Sequence, residues 1–308
     1  MTFTITPPAS IAVIGLGNMG IPMSNCLIKA GFRVSGFDAS PIACARFVAS
    51  GGQVAASAAE AVVDADGIIT LLPDGKIVRS VLEPLRHDIK PGAVIMEMSS
   101  SDPVGTQALG KAFIASGFGF IDAPVSGGVK RAIDGSLAIM VGGEPATIDR
   151  MERILSEVGR TVFRTGGLGS GHAMKALNNY VSAAGLIAAV EAIQIGEKFG
   201  LDPAMMADVL NASTGRNNTT EVKLKQFILS KAFNAGFPMK LMAKDVRTAA
   251  DLGDAMHTPT PLANSCADIW DEAAASLGEG VDHTAIGLHI EKMKHQPKIT
   301  GVNDGPSA

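Results

Sequence analysis

The stretch "IAVIGLGNMG", residues 11–20, constrains the fold more than any other part of the chain. Ile11–Ile14 is an unbroken aliphatic run and reads as a buried parallel strand. It passes directly into Gly15-x-Gly17-x-x-Gly20, after which "IPMSNCLIKAG" has helical spacing and stops at Gly31. "FRVSGFD" is a second strand ending on Asp38, 18 residues beyond Gly20. Glycine-rich turns are common, but a strand before, a helix after and an acid closing the next strand are the setting of a dinucleotide site. Gly15 then permits the tight turn, Gly17 lets backbone approach a pyrophosphate, and Gly20 allows helix to pack closely on strand. The helix N-terminus offers unpaired N–H groups and partial positive charge to phosphates. Asp38 would accept hydrogen bonds from the adenosine ribose hydroxyls and repel a 2′-phosphate, so NAD is expected ahead of NADP. The other reading of Asp38 is a solvated turn residue before Ser40-Pro41.

The alternation continues. "GQVAASAAEAVVDAD" gives a short strand and helix, "GIITLLP" a strand, "KIVRSVLEPL" a helix and "AVIMEMSS" another strand. "DPVGTQALGKAFIASG" is helical, and "FGFIDAPV" and "LAIMVGG" are strands. Such a pattern predicts a Rossmann-type, doubly wound and mostly parallel sheet, with ligands at the carboxyl ends of its strands, where Leu72-Pro73 and Ser99-Ser100 fall. From about Gly169 strand signals cease. A long run, "HAMKALNNYVSAAGLIAAVEAIQIGEKFG", leads into "DPAMMADVLNAS", "VKLKQFILSKAF", "PMKLMAKDVRTAADLGD", "PLANSCADIWDEAAASLG" and "DHTAIGLHIEKMK", all helical. The expected organisation is a nucleotide-binding domain over 1–168, an all-α domain over 169–295 joined to it by the long helix, and a disordered tail over 296–308.

Composition narrows the function. The 308 residues are 46% hydrophobic and 18% charged, a globular balance, with aromatics at only 5%, so the core is mainly aliphatic. A net charge of −4 lacks the basic excess of a nucleic-acid-binding domain. Cys26, Cys44 and Cys266 are widely separated and form no metal-ligand pattern, which fits free thiols in a reducing compartment and no metal. "MTFTITPPAS" has neither the basic start nor the apolar core of a signal peptide. Val181–Ile195 is interrupted by Glu191 and falls short of the roughly 20 residues a membrane span needs. A soluble, cytoplasmic protein with no membrane partner is expected.

Two segments carry candidate chemistry. In "DAPVSGGVKRAIDGSL", Ser126, Gly127 and Gly128 follow a strand, and their backbone N–H groups and the serine hydroxyl suit a carboxylate. An ordinary strand-to-helix turn is the alternative. In "GSGHAMKALNN", Asn178 and Asn179 lie three and four residues beyond Lys175 and share its helix face. A partly buried lysine loses its proton readily and can act as general acid/base, with an asparagine holding a substrate hydroxyl beside it. A lysine snorkelling to solvent next to a capping asparagine pair accounts for the same spacing.

"GLGNMG", "DAPVSGGVKRAIDGSLAIMVGG", "GSGHAMKALNN" and "LMAKD", in this order, resemble the β-hydroxyacid dehydrogenase family, which includes 3-hydroxyisobutyrate dehydrogenase and tartronate semialdehyde reductase; the likeness covers roughly residues 10 to 295. The resemblance implies a nucleotide on Gly15, Leu16, Gly17, Asn18, Met19 and Gly20, with Leu72, Pro73, Val78 and Ser100 as further cofactor contacts. Ser100 stands where the family carries a threonine that contacts the nicotinamide side. Ser126, Gly127 and Gly128 match the carboxylate-binding segment, Lys175 the catalytic lysine, and Asn179 the substrate-holding asparagine. Lys244, accompanied by Asp245, matches a lysine that closes over the cofactor from the helical half.

The implied activity is reversible hydride transfer between NAD and a short β-hydroxyacid of the 3-hydroxyisobutyrate or 2-hydroxy-3-oxopropionate/glycerate type, in a homodimer or homotetramer. Two features point to a more polar, threonate-like or sulfonate-bearing substrate: the polar run "STGRNNTTE", which includes Arg216, and the cations Lys130 and Arg131, which otherwise form a solvated helix face. Imine reduction and non-catalytic NAD binding are rival outcomes, against which the intact Lys175–Asn179 pair speaks.

Overall fold

The computed structural model describes residues 4–293; the expectation of a disordered tail over 296–308 lies outside them. The strands are β1 (Ser10–Ile14), β2 (Arg33–Phe37), β3 (Gln53–Val54), β4 (Gly67–Thr70), β5 (Val94–Glu97), β6 (Gly119–Asp122), β7 (Val125–Ser126), β8 (Leu137–Gly142) and β9 (Gly159–Gly166). β3, β2, β1, β4, β5 and β6 lie side by side in that order and all run parallel. Chain order reverses between β1 and β4, which opens the crevice where doubly wound sheets bind ligands. β8 pairs antiparallel with β7 and the end of β6, and parallel with β9.

The central strands feed two cores. On β1, Ile11 and Val13 join one cluster with Ile69, Met96, Ile121 and the helices Gly20–Lys29 and Pro145–Val158. Ala12 and Ile14 join the other, with Ile68, Ile95, Phe120 and the helices Gly75–Leu82 and Pro103–Ala115. Period-2 alternation within a wholly apolar strand therefore covers both faces of the sheet.

Three expectations need correction. "FGFIDAPV" is two strands, because Pro124 has no N–H to continue the ladder; its carbonyl instead accepts from Met140 N at 3.1 Å. The stretch between Gly143 and Gly169 gave no assignment, yet it holds the helix Pro145–Val158 and β9. The helix buries Ile148, Met151, Ile154, Leu155 and Val158 at helical spacing, whereas β9 is a mostly exposed strand of Arg and Thr with little apolar signal. "VKLKQFILSKAF" forms a π-helix, Thr219–Leu229, three residues ahead of the expected start, and the chain leaves it through Lys231 and Phe233 in left-handed conformations.

Contacts divide the chain into two compact units. One runs from the N-terminus to Ala184 and includes Leu241–Ile269; the other comprises Gly185–Lys240 and the chain from Trp270 onward. In the second unit Ala189, Ile193, Ala207 and Leu224 form a small core. The helix Ser170–Phe199 serves both units. At 30 residues it is long and apolar enough to cross a membrane, so length does not exclude a span as the sequence had suggested. Part of it is a core helix: Ala183, Leu186 and Val190 are core residues, and the buried His172 and Asn179 hydrogen-bond within the protein.

Candidate active site

At the mouth of β1 the three glycines have three separate reasons. Gly15 has φ +106°, and a Cβ there would lie 2.2 Å from the Leu71 carbonyl oxygen, because β1 and β4 are tied at this level by Leu71 N to Ile14 O. A Cβ on Gly20 would meet the Gly15 carbonyl at 1.9 Å, so its close packing is against the loop itself. A Cβ on Gly17 would meet nothing within 4 Å, which leaves that side of the loop open. The helix Gly20–Lys29 begins with no side-chain cap and no acid in its first turn. An open backbone cradle ahead of an uncapped N-terminus fits a pyrophosphate.

Asp38 braces this loop. Its Oδ2 accepts from Leu16 N at 2.7 Å and its Oδ1 from Ser40 N at 2.7 Å, while the Ser40 hydroxyl caps the helix Pro41–Ala49. Each carboxylate oxygen keeps a further lone pair for a ribose hydroxyl. Leu16 has its side chain in the core and its N–H engaged by Asp38; Asn18 is exposed and Met19 half-buried. Leu72 is half-buried, its N–H bonded to Ser99 Oγ at 2.9 Å, and Pro73 is exposed. Val78, expected among the cofactor contacts, is buried at 1% exposure in the second core, against which Leu72 also packs.

Beyond the sheet's carboxyl edge one buried carboxylate gathers three expected residues. Asp245, 3% exposed, accepts from Ser100 Oγ at 2.8 Å and Asn179 Nδ2 at 2.6 Å, and lies 3.0 Å from Lys244 Nζ. Lys244 also donates to the Ser100 carbonyl. Asn178 Nδ2 donates to Asn179 Oδ1 at 3.1 Å, which fixes the Asn179 amide with one N–H still unspent. Lys175 is half-buried on the same helix, and among the described residues its ammonium has neither a hydrogen bond nor an ion pair. Burial pushes its pKa down; Asp245 opposes this, Lys244 adds to it, and the net displacement is below the ordinary lysine value. A cation so placed gives up its proton more easily than a surface lysine.

Ser126, Gly127 and Gly128 stand outside that hydrogen-bond network. Gly127 and Gly128 have φ of +129° and +69°, two successive left-handed residues, and the Cβ side of Gly128 is open. Lys130 and Arg131 follow, both exposed and without ion pairs among the described residues, with the Arg131 stem lying over Gly127. The polar run expected to mark a polar substrate is engaged in folding. Asn217 Oδ1 accepts from Thr219 N and Thr220 N at the head of the π-helix, both threonines are buried, and exposed Arg216 lies 3.4 Å from Glu221.

The sequence reading missed a buried charged cluster behind the site: Glu97, Asp122 and His172, all at most 1% exposed. His172 Nε2 lies 2.7 Å from Glu97 Oε2 and 3.1 Å from the Ser99 carbonyl. The available signal was an acid inside the apolar run "AVIMEMSS" and a histidine one turn before Lys175. Among the described residues no group of His, Cys, Asp and Glu is arranged to hold a metal.

Residues 10–167 match the model described as the NAD binding domain of 6-phosphogluconate dehydrogenase. Residues 169–289 match the NAD-binding segment of NADP-dependent 3-hydroxyisobutyrate dehydrogenase. The chain is 35% identical over 294 residues to 2-(hydroxymethyl)glutarate dehydrogenase of Eubacterium barkeri, covering 94% of this chain and 97% of that protein. It is 33% identical to NAD-dependent L-serine dehydrogenase of Pseudomonas aeruginosa, covering 84% and 90%. The structure of Mycobacterium tuberculosis 3-hydroxyisobutyrate dehydrogenase with L-serine superposes with a TM-score of 0.86 at 35% identity, covering 92% of this chain and 99% of that one. With the glycine loop and the lysine-bearing helix in place, these likenesses establish that the chain belongs to the β-hydroxyacid dehydrogenase family of nicotinamide-dependent oxidoreductases.

Proposed function

We propose that this protein oxidises the hydroxyl group of a short β-hydroxyacid, and reduces the matching carbonyl, with NAD as coenzyme and Lys175 as general acid/base. The observation that carries the reading is the half-buried ammonium of Lys175, unpartnered among the described residues, beside the Asn179–Asp245–Ser100 chain. The bound nicotinamide supplies the hydride acceptor or donor. In oxidation Lys175 Nζ takes the substrate hydroxyl proton; in reduction it returns a proton to the carbonyl oxygen. The free N–H of Asn179 holds that oxygen, and Ser126 with the Gly127–Gly128 backbone holds the carboxylate. Residues 1–168 would carry the coenzyme and residues 169–295 complete the substrate site, in a cytoplasmic homo-oligomer.

A second substrate class has one observation in its favour: Lys130 and Arg131, free of ion pairs among the described residues, flank the proposed carboxylate segment and suit a second anionic group. NAD-linked oxidation of 3-hydroxyisobutyrate, L-serine and 2-(hydroxymethyl)glutarate tests both. Preference for the dicarboxylate would select the second class, and no turnover of any would remove the function.

Asp38→Asn tests coenzyme choice. It removes the charge and leaves one acceptor for two N–H donors. A charge-assisted hydrogen bond contributes about 1.5–3 kcal/mol, so the NAD-to-NADP preference is expected to fall about 10- to 100-fold. An unchanged ratio would assign Asp38 to the loop alone.

A further inference from the structure

The three groups assigned above to substrate and coenzyme come from three separate segments, and each segment passes through the buried cluster a few residues earlier. β5 ends at Glu97, three residues before Ser100; β6 ends at Asp122, four before Ser126; the long helix presents His172 three before Lys175. The geometry points to His172 as a positioning residue: its imidazole, clamped to Glu97 and set against Asp122, holds Lys175 in register with Ser100 and the Ser126–Gly128 segment. The inference rests on the proposed role of Lys175.

Asp122 binds the helix from the strand side. Its Oδ1 accepts from Gly169 N at 2.7 Å and its Oδ2 from His172 N at 2.9 Å, so a carboxylate on β6 caps the first turn of the long helix. The imidazole makes the matching connection to β5. Nε2 faces only acceptors, Glu97 Oε2 and the Ser99 carbonyl, and must carry a hydrogen. Nδ1 faces Thr106 Oγ1 at 2.9 Å, and that hydroxyl spends its own hydrogen on the Asp102 carbonyl at 2.9 Å. With that hydrogen on the Asp102 carbonyl, Nδ1 donates too, and the ring is an imidazolium, the form its two carboxylate neighbours favour. Burial works against that charge, but Glu97 and Asp122 outweigh it and hold the pKa above the ordinary histidine value. Glu97 in turn accepts from Ser99 N at 2.8 Å, and Ser99 Oγ accepts from Leu72 N, which carries the constraint to the residues around Ser100. The proposed proton acceptor would contact none of this directly.

His172→Gln and the pair His172→Gln/Glu97→Gln test the inference. The pair removes one charge of each sign and stays interpretable if the single variant, left with two uncompensated buried acids, does not fold. Three quantities decide: NAD affinity by calorimetry, kcat with 3-hydroxyisobutyrate as probe, and the pH midpoint for acetic anhydride labelling of Lys175, read by mass spectrometry. The folded variant is expected to keep NAD affinity within about threefold, lose about 10- to 100-fold in kcat, and shift the Lys175 midpoint upward as the amine is released to solvent. An unchanged midpoint, or NAD affinity falling as far as kcat, would overturn it. Labelling needs no substrate, so it reads the positioning role even if Lys175→Ala keeps turnover and the acid/base role fails.

Discussion

Lys175→Ala is expected to lower kcat by about 10²–10⁴-fold while NAD affinity stays within about threefold, since what is lost is the proposed proton acceptor at the reacting oxygen. The residue lies in the first turns of a well-packed helix, and removing an ammonium without hydrogen-bond partners leaves no buried acceptor unsatisfied, so the fold should survive. The pH dependence follows from the direction of the shift. Oxidation needs the neutral amine, and burial lowers the lysine pKa, so the oxidation rate should rise with pH and level off below the ordinary lysine value of about 10.4. Reduction needs the ammonium and should fall over the same interval. Stopped-flow measurement in both directions checks this. Near-normal turnover in the alanine variant, or a limb at the ordinary lysine value, would remove Lys175 from the mechanism.

Gly15→Ala is expected to be strongly destabilising to the nucleotide-binding half. At φ +106° an L-residue is strained, and its Cβ would stand 2.2 Å from a backbone oxygen that cannot rotate away. The left-handed conformation costs about 1–2 kcal/mol and overpacking typically about 1–3 more, giving a loss of about 2–5 kcal/mol in urea unfolding. Gly17→Ala is the contrasting control. Its Cβ meets nothing within 4 Å, so stability should change by less than about 0.5 kcal/mol while NAD affinity drops. If both variants were equally destabilised, the distinction between a turn glycine and an approach glycine would be wrong.

The elements legible in the sequence are those whose burial is written into residue type. β1, β4 and β5 are short, mainly apolar strands buried along almost their whole length, and the helices between them repeat apolar residues at helical spacing. β9 escaped because five of its eight residues are exposed and its Arg164 pairs with Asp149 and Glu152 on the helix before it. The π-helix escaped because its start is set by the Asn217 side chain instead of an apolar period. Within the candidate site, spacing and family resemblance singled out Lys175, Asn179, Ser100 and Lys244, which lie in one region of the structure. That one carboxylate, Asp245, binds three of them was not legible, since its partners lie 66 and 145 residues away. Nor was the His172 cluster, because a buried ion pair becomes visible only when its strands are laid side by side. Val78 shows the reverse: its place beside the loop after β4 was readable, but which way the side chain points is decided by packing.

The double duty proposed for Asp38 would limit how this coenzyme site can change. The two oxygens proposed to receive the ribose also fasten Leu16 and Ser40, so on that proposal coenzyme choice and loop shape cannot drift apart one mutation at a time. A lineage moving to the phosphorylated dinucleotide would have to rebuild the loop's anchorage in the same step that admits the extra phosphate.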